Sequence, residues 1–419
     1  MIERLPVSAP LSKTEHMNYF SFIGTHYRFL LFGFLMMGLS NFGQTFFIAL
    51  YSNEIRAMFE LSNAGFGGLY SAATLASAMA IIINGRFIDD WPLRRYALFA
   101  LGGLTLGCVA MGLAAHVTFL FLALFMLRHF GQGLSGHTAM TSAGRAFDKN
   151  RGQAVSLVQL GYAGFESFFP IMAVTAIALI GWQQSWFLYA ALLLVVAIPL
   201  QMVLVGYEPR RPVLADEDAS EKGADRAAML RDRRFYMVLP LYLAPPFFLT
   251  GLFFHQVQLA AARGWAIETL AAAFTLYAFI KVASSLATGP LVDRFTALRL
   301  LPFSAIPLVT AFWLLIVPDN LFGAATPFVY MGLIGLNLGM IGPISGGLWP
   351  ELFGTAHLGA IRSLTAPIGI SATAAAPVLF GLAIDANISF GTIGLSGIIF
   401  LIGSALLAFS VPTDKLPSK

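Results

Sequence analysis

The chain has 419 residues, of which 58% are hydrophobic and only 11% charged, with a net charge of +4 and a mean hydropathy of +0.76. No water-soluble domain hides that much apolar surface, so lipid must solvate it. The one cysteine, Cys108, excludes an internal disulfide and a cysteine metal site.

Segments apolar enough to cross a bilayer, about 20 residues each, begin near Tyr27, Asn63, Tyr96, Thr118, Gln153, Gln184, Phe235, Ile267, Leu298, Leu321, Leu358 and Ser389. They are apolar throughout and do not alternate, which excludes a membrane β-barrel. The predicted class is an all-α membrane protein with twelve transmembrane helices. Glu3, Lys13, Glu15 and Arg28 precede the first span, so no cleavable signal peptide is expected.

In chain order, the first span carries Asn41, Gln44 and Thr45 on one face. The second ends in Gly85-Arg-Phe-Ile-Asp89 and leads into Arg94 and Arg95. The fourth is polar over a wide arc: Arg128, Gln132, Ser135 and Gly136 share one face, and His129, Gly133 and His137 the next. Arg128 lies close to mid-membrane, where a guanidinium suits a carboxylate or phosphate, or else serves to fix neighbouring backbone. The fifth span holds Glu166. A loop over residues 207–234 follows, with acids and bases in equal number, and reads as a solvated tether. The seventh span ends in His255 and Gln258 beyond an expected break at Pro245-Pro246. The eighth contains Lys281 and ends in Gly289-Pro-Leu-Val-Asp293 and Arg294, the second-span motif repeated about half a chain later. The tenth holds Asn337 in a glycine-rich run. Spans three, six, nine and twelve carry almost no polar groups, as lipid-facing helices should.

Basic residues set the orientation. With both termini cytoplasmic, all of the 25 Lys and Arg fall on the cytoplasmic side except four. Arg56 and Arg263 lie outside, and Arg128 and Lys281 lie within the membrane. That is a positive-inside pattern, so the basic balance does not signal nucleic acid. A charge at mid-bilayer costs about 2.5–3.5 kcal/mol, so Glu166, Arg128 and Lys281 each need a partner or a water-filled cavity. There is no Gly-x-x-x-x-Gly-Lys phosphate loop and no nucleophile–base or metal spacing, so neither an enzyme nor a cofactor is expected.

The duplicated Gly-x-x-x-Asp with its following arginines resembles the cytoplasmic motif of the major facilitator superfamily, and the resemblance covers the whole chain. Gly85, Asp89 and Arg94 match in the first copy, where Asp90, Pro92 and Leu93 depart from the pattern. Gly289, Leu291, Asp293 and Arg294 match in the second, where Thr296 departs. The stretch Arg145 to Gly152 is similar to the family's link between helices four and five, and Trp349 to Gly359 to its link between ten and eleven. More loosely, Arg128-His-Phe-Gly-Gln-Gly133 and the Glu351 loop resemble the monocarboxylate-transporter-like branch.

The resemblance implies two pseudo-symmetric six-helix bundles, residues 1–206 and 235–419, joined by the 207–234 loop. It implies that helices one, four, seven and ten line a central cavity and that five and eight face each other across it. Asp89 is then expected at the start of helix eleven and Asp293 at the start of helix five, each closing the cytoplasmic side through exposed helix amides. On that geometry Lys281 stands 12 residues above Asp293, about 18 Å, and Glu166 stands 14 above Gly152, about 21 Å. The two come out level, so an ion pair or a shared substrate contact is expected.

The functional expectation is a secondary transporter of a small organic anion, with or without a proton, in the cell inner (plasma) membrane and acting as a monomer. Two deep bases against one acid favour an anion. A proton-driven exporter of drugs or cations is the alternative, and a non-transporting receptor or assembly protein of the same fold is the alternative of another class. Candidate substrate or coupling residues are Arg128, Glu166, Lys281, Gln132, His129, Asn41, Gln44, His255 and Asn337. Candidate gating residues are Gly85, Asp89, Arg94, Arg145, Gly289, Asp293 and Arg294.

Overall fold

The computed structural model describes residues 19–147, 150–209, 229–318, 321–354 and 358–412. Most of the 207–234 loop and part of the Trp349–Gly359 loop therefore lie outside the described residues. Twelve helices are long and apolar enough to cross a membrane. We number them α1 (19–43), α2 (Asn63–Asp90), α3 (Leu93–Gly112), α4 (Val117–Ala146), α5 (Arg151–Ile180), α6 (Trp182–Tyr207), α7 (Arg233–Phe254), α8 (Ile267–Phe295), α9 (Ala297–Leu314), α10 (Gly323–Phe353), α11 (Leu358–Asp385) and α12 (Phe390–Phe409).

Local chemistry sets their ends. Ser62 accepts from Gly65 N at the start of α2, and Ser389 from Thr392 N at the start of α12. Glu351, at the end of α10, accepts from Ala297 N and Leu298 N and so caps α9. Gly181 and Gly354 stop α5 and α10 with φ of 82° and 81°, values that favour glycine.

Side chains sort by solvent. Large apolar residues exposed on the outside include Leu106 on α3, Val195 on α6, Ile306 on α9 and Ile399 on α12, and also Met79 on α2, Leu179 on α5 and Phe279 on α8, so these helices all carry lipid-facing surface. Inside the first bundle Phe42, Phe47, Phe169, Trp186 and Tyr189 pack ring against ring. In the second, Phe248 packs on Phe312 and Phe380. The bundles meet where α5 packs on α8 and α2 on α11.

Three local expectations need correction. The first helix begins at Tyr19, well before Tyr27, because Phe22 and Phe29 extend its packing onto Phe147. Arg28 therefore lies within it. There is no break at Pro245-Pro246: α7 runs through Pro240, Pro245 and Pro246 and stops at His255. And α4 is not regular, because Leu127–Ser135 is a π-helical stretch.

Candidate functional site

The π-helical stretch of α4 shapes the site. Bonding from residue i to i+5 fits more residues into a turn than the α-helix does, and such insertions mark functional positions in many proteins. Arg128 and Gln132 face the bundle interface, while Ser135, expected beside them, turns inward and donates to Phe130 O at 2.7 Å. Two glycines bring the backbones of α1 and α4 together: a Cβ on Gly131 would stand 2.8 Å from Gly43 N, and one on Gly43 would stand 2.5 Å from Gln132 N. Gly43, the last residue of α1, thereby presents its carbonyl to Arg128.

Arg128 is 5% exposed. Its Nε donates to Thr74 Oγ1 at 3.0 Å and its Nη1 to Gly43 O at 2.9 Å. Its guanidinium carbon lies 5.0 Å from the Tyr70 ring centroid. Nη2 has no hydrogen-bond partner among the described residues, and Arg128 lines the cavity. The side chain is thus both fixed to α1 and α2 and open on one edge.

Across the interface, Lys281 Nζ on α8 lies 2.6 Å from Glu166 Oε2 on α5. Tyr277 donates to Glu166 Oε1 at 3.1 Å, so both carboxylate oxygens have partners. The Lys281 ammonium also sits 4.6 Å from the Tyr162 ring centroid and 5.3 Å from that of Tyr277, within range of cation–π attraction. Each tyrosine precedes its charge by one helical turn, which places the pair on one face of its helix. Gly335 of α10 lets α8 approach closely, since a Cβ there would stand 2.5 Å from Tyr277 O.

These groups enclose a central cavity of about 370 Å³, lined by Gln44, Thr45, Arg128, Gln132, Gln159, Tyr162, Glu166, Thr250, Tyr277 and Lys281 among others. A second space of about 230 Å³ shares Arg128, Gln132 and Thr373 with it. Two bases and one acid leave one positive charge facing a wall of amides and hydroxyls.

The structure brings Arg128, Gln132, Gln44, Glu166 and Lys281 to this cavity and leaves four other candidates outside it. His129 is buried against Phe125 and pairs through Nε2 with Asn84 Nδ2 at 3.1 Å. Asn41 donates to Gly38 O and Tyr162 O, tying α1 to α5. His255 donates to Pro377 O at 2.9 Å and Asn337 to Ser304 O at 2.7 Å. His129 is held by a side chain, and the other three bind backbone. Tyr162, Tyr277, Gln159 and Thr250 were not singled out from sequence. The tyrosines had a signal, their four-residue spacing from Glu166 and Lys281; Gln159 and Thr250 had none.

The repeated motif marks one end of the molecule, called here the basic end. Asp89 forms an ion pair with Arg145, whose Nη1 also reaches Ile88 O. The His137 ring lies 3.2 Å through Nε2 from Gly85 O. Arg94 and Asp89 share a surface depression. Asp293 and Arg294 are exposed, Arg294 lying over the Phe295 ring, and Gly289 borders open space. Asp89 is thus engaged within its own bundle, and Asp293 has no hydrogen-bond partner among the described residues. Among the described residues Asp293 makes no hydrogen bond with the start of α5; most of the stretch Leu358 to Arg362, expected opposite Asp89, lies outside the described side chains. Among the described residues, every hydrogen bond between the bundles lies at the Glu166–Lys281 level or toward the opposite end. Among the described residues, then, hydrogen bonds hold the bundles together at the opposite end and none does so at the basic end.

The family model of the Major Facilitator Superfamily matches residues 30–377. No curated protein matches the chain. Solved structures of similar fold include a point mutant of the nucleoside transporter NupG, with a TM-score of 0.69 and 13% identity over 92% of this chain and 98% of that one. NupG itself gives a TM-score of 0.66 and 14% identity, covering 94% and 98%. A bacterial homolog of the human lysosomal transporter Spinster, inward-facing and occupied, gives 0.64 and 15%, covering 93% and 96%.

Proposed function

The chain belongs to the Major Facilitator Superfamily, and on that premise we propose that it carries a small organic anion of the carboxylate type, bound in the central cavity at Arg128. It is an integral membrane protein with a transporter fold, not an enzyme, and moves a small molecule by alternating access.

The observation that carries the anion reading is the free edge of Arg128. Lys281 is matched by Glu166, whereas Arg128 faces no carboxylate, and its Nη2 is unpaired among the described residues. In a cavity poorly screened by water, an anion bound there would be favoured strongly. A cation exporter would need spare acid, and among the described residues Glu166 is the only acid lining the cavity. It is also where a proton would couple to transport, because it loses its partner whenever Lys281 turns elsewhere. The reading does not need the monocarboxylate branch; the phrase Arg128 to Gly133 forms the π-helical turn, a matter of backbone.

In this proposal residues 1–206 and 235–419 rock against each other, tethered by the 207–234 loop. The basic end faces the cytoplasm of the cell inner membrane, following the excess of Lys and Arg there. The protein works as a monomer. Asp89 and Asp293 engage α11 and α5 when the basic end closes.

The test is a thermal-shift screen of purified protein with carboxylates, organic phosphates, nucleosides and lipophilic cations, followed by uptake in proteoliposomes. Binding to the folded state raises apparent stability by mass action. Carboxylates or phosphates should stabilise the parent and lose that effect in Arg128→Gln. Stabilisation by cations alone would overturn the reading.

A further inference from the structure

At the end opposite the basic end, the two bundles are joined by a carboxylate that the repeated motif does not contain. Asp385, the last residue of α11, accepts through Oδ1 from Asn63 N at 3.0 Å and Asn63 Nδ2 at 2.8 Å, and through Oδ2 from Ala64 N at 2.8 Å. Asn63 and Ala64 are the first residues of α2. Their amides are among those a helix start leaves without intrahelical partners, and the helix dipole there is positive.

The backbone fit around this contact is close. A Cβ on Gly381 would stand 2.6 Å from Ala64 N and Asn63 C, and one on Gly67 would stand 2.7 Å from the Pro377 carbonyl carbon. Small residues on both helices therefore let α11 and α2 lie flush, with the carboxylate over the amides. Neighbouring contacts at this end also cross between bundles: Gln258 Nε2 donates to Ser52 Oγ and Asn53 Oδ1, and Gln256 Nε2 to Phe46 O.

The related junction is different. Between the end of α5 (Ile180) and the start of α8 (Ile267) no hydrogen bond is made among the described residues, and α5 ends in an apolar run. The charge-assisted closure is one-sided.

We propose that Asp385 is the gating residue of this end, holding it shut against the start of α2 while the basic end is open, and releasing α2 when the transporter turns over. Its three hydrogen bonds cannot survive separation of the bundles here, so they contribute to the closed state and to no state in which this end is open. A change at Asp385 shifts the conformational equilibrium without touching the substrate cavity.

The experiment measures distance in the full-length protein, with spin labels on Met58→Cys and Ile388→Cys, two exposed positions flanking the junction. The native Cys108 is buried and takes no label. The parent should give one short distance. Asp385→Asn, which keeps the shape and removes the charge, should raise the ratio of a longer distance to the short one by about tenfold, or roughly 1.4 kcal/mol. Asn63→Ala removes one of the three donors and should raise it by a smaller factor, and it decides the matter if Asp385→Asn does not fold. An unchanged distance distribution in a folded variant overturns the proposal. No substrate enters this measurement, so its failure is separate from failure of the anion reading.

Discussion

Lys281 Nζ and Glu166 Oε2 stand 2.6 Å apart on α8 and α5, joining the two bundles by an ion pair at mid-span. Glu166 is 1% exposed and its second oxygen is held by Tyr277. Two charges so placed are coupled, because the buried Glu166 has no water to replace its partner, whereas Lys281 lies at the cavity wall.

The first expected outcome follows from that coupling. Glu166→Gln or Lys281→Met alone leaves a buried charge unpaired and should cost about 3–5 kcal/mol, whereas the double variant should be close to neutral. Folding yield and Tm of the three variants give the coupling directly. Additive effects would mean that the pair does not interact in the folded protein.

Arg128→Lys keeps the charge but cannot reproduce both the Nη1 bond to Gly43 O and the Nε bond to Thr74 Oγ1. We expect Tm to fall by a few degrees and KM for an anionic substrate to rise about tenfold, or roughly 1.4 kcal/mol of lost binding. Uptake kinetics and thermal unfolding separate the two effects. A lower Tm with unchanged KM would reduce Arg128 to a brace between α1, α2 and α4.

The two motif carboxylates should behave differently. Asp89 and Arg145 are partly exposed, with side-chain exposures of 54% and 33%, so Asp89→Asn should remove about 0–1 kcal/mol at most. Asp293→Asn removes nothing from the present conformation. Both should weaken closure of the basic end, by about 0.3–1 kcal/mol each, through the loss of a charge at a helix start. Cysteine labelling at the two ends reads this, and identical labelling in parent and both variants would withdraw the gating role.

Glycines give a contrast between packing and motif. Gly131→Ala drives a methyl group against Gly43 N and should cost about 1–3 kcal/mol in stability. Gly289→Ala meets open space and should leave Tm unchanged. If Gly289→Ala also leaves transport unchanged, the motif glycine has no close partner in the closed basic end either.

Much of the architecture was legible because the bilayer imposes a one-dimensional rule. Any stretch of about 20 apolar residues must be a helix that satisfies its own backbone, so eleven of the twelve expected starts agree with the structure to within about three residues. The rule failed at α1, whose start is set by Phe22 and Phe29 packing on Phe147 and not by hydropathy. It failed also at Pro245-Pro246, where a lost backbone bond did not end α7.

The buried charges were legible for the same reason: Glu166, Lys281 and Arg128 stand out because ionised groups in lipid are costly. Counting residues along helices even set the first two level. What the sequence could not decide is which way a polar side chain turns. His129, Asn41, His255 and Asn337 have the composition of cavity residues, yet each is spent on a neighbouring helix. The π-helical stretch of α4 also turned Ser135 away from the face that regular spacing gives it. Likewise Asp385 looks in sequence like one more acid at a helix end. Only the approach of α11 to α2, allowed by Gly381 and Gly67, brings it onto the amides of Asn63 and Ala64. Membrane insertion is a local property that a sequence carries residue by residue, whereas hydrogen-bond partners and gates arise from contacts between helices far apart in the chain, which exist only once the bundles have packed.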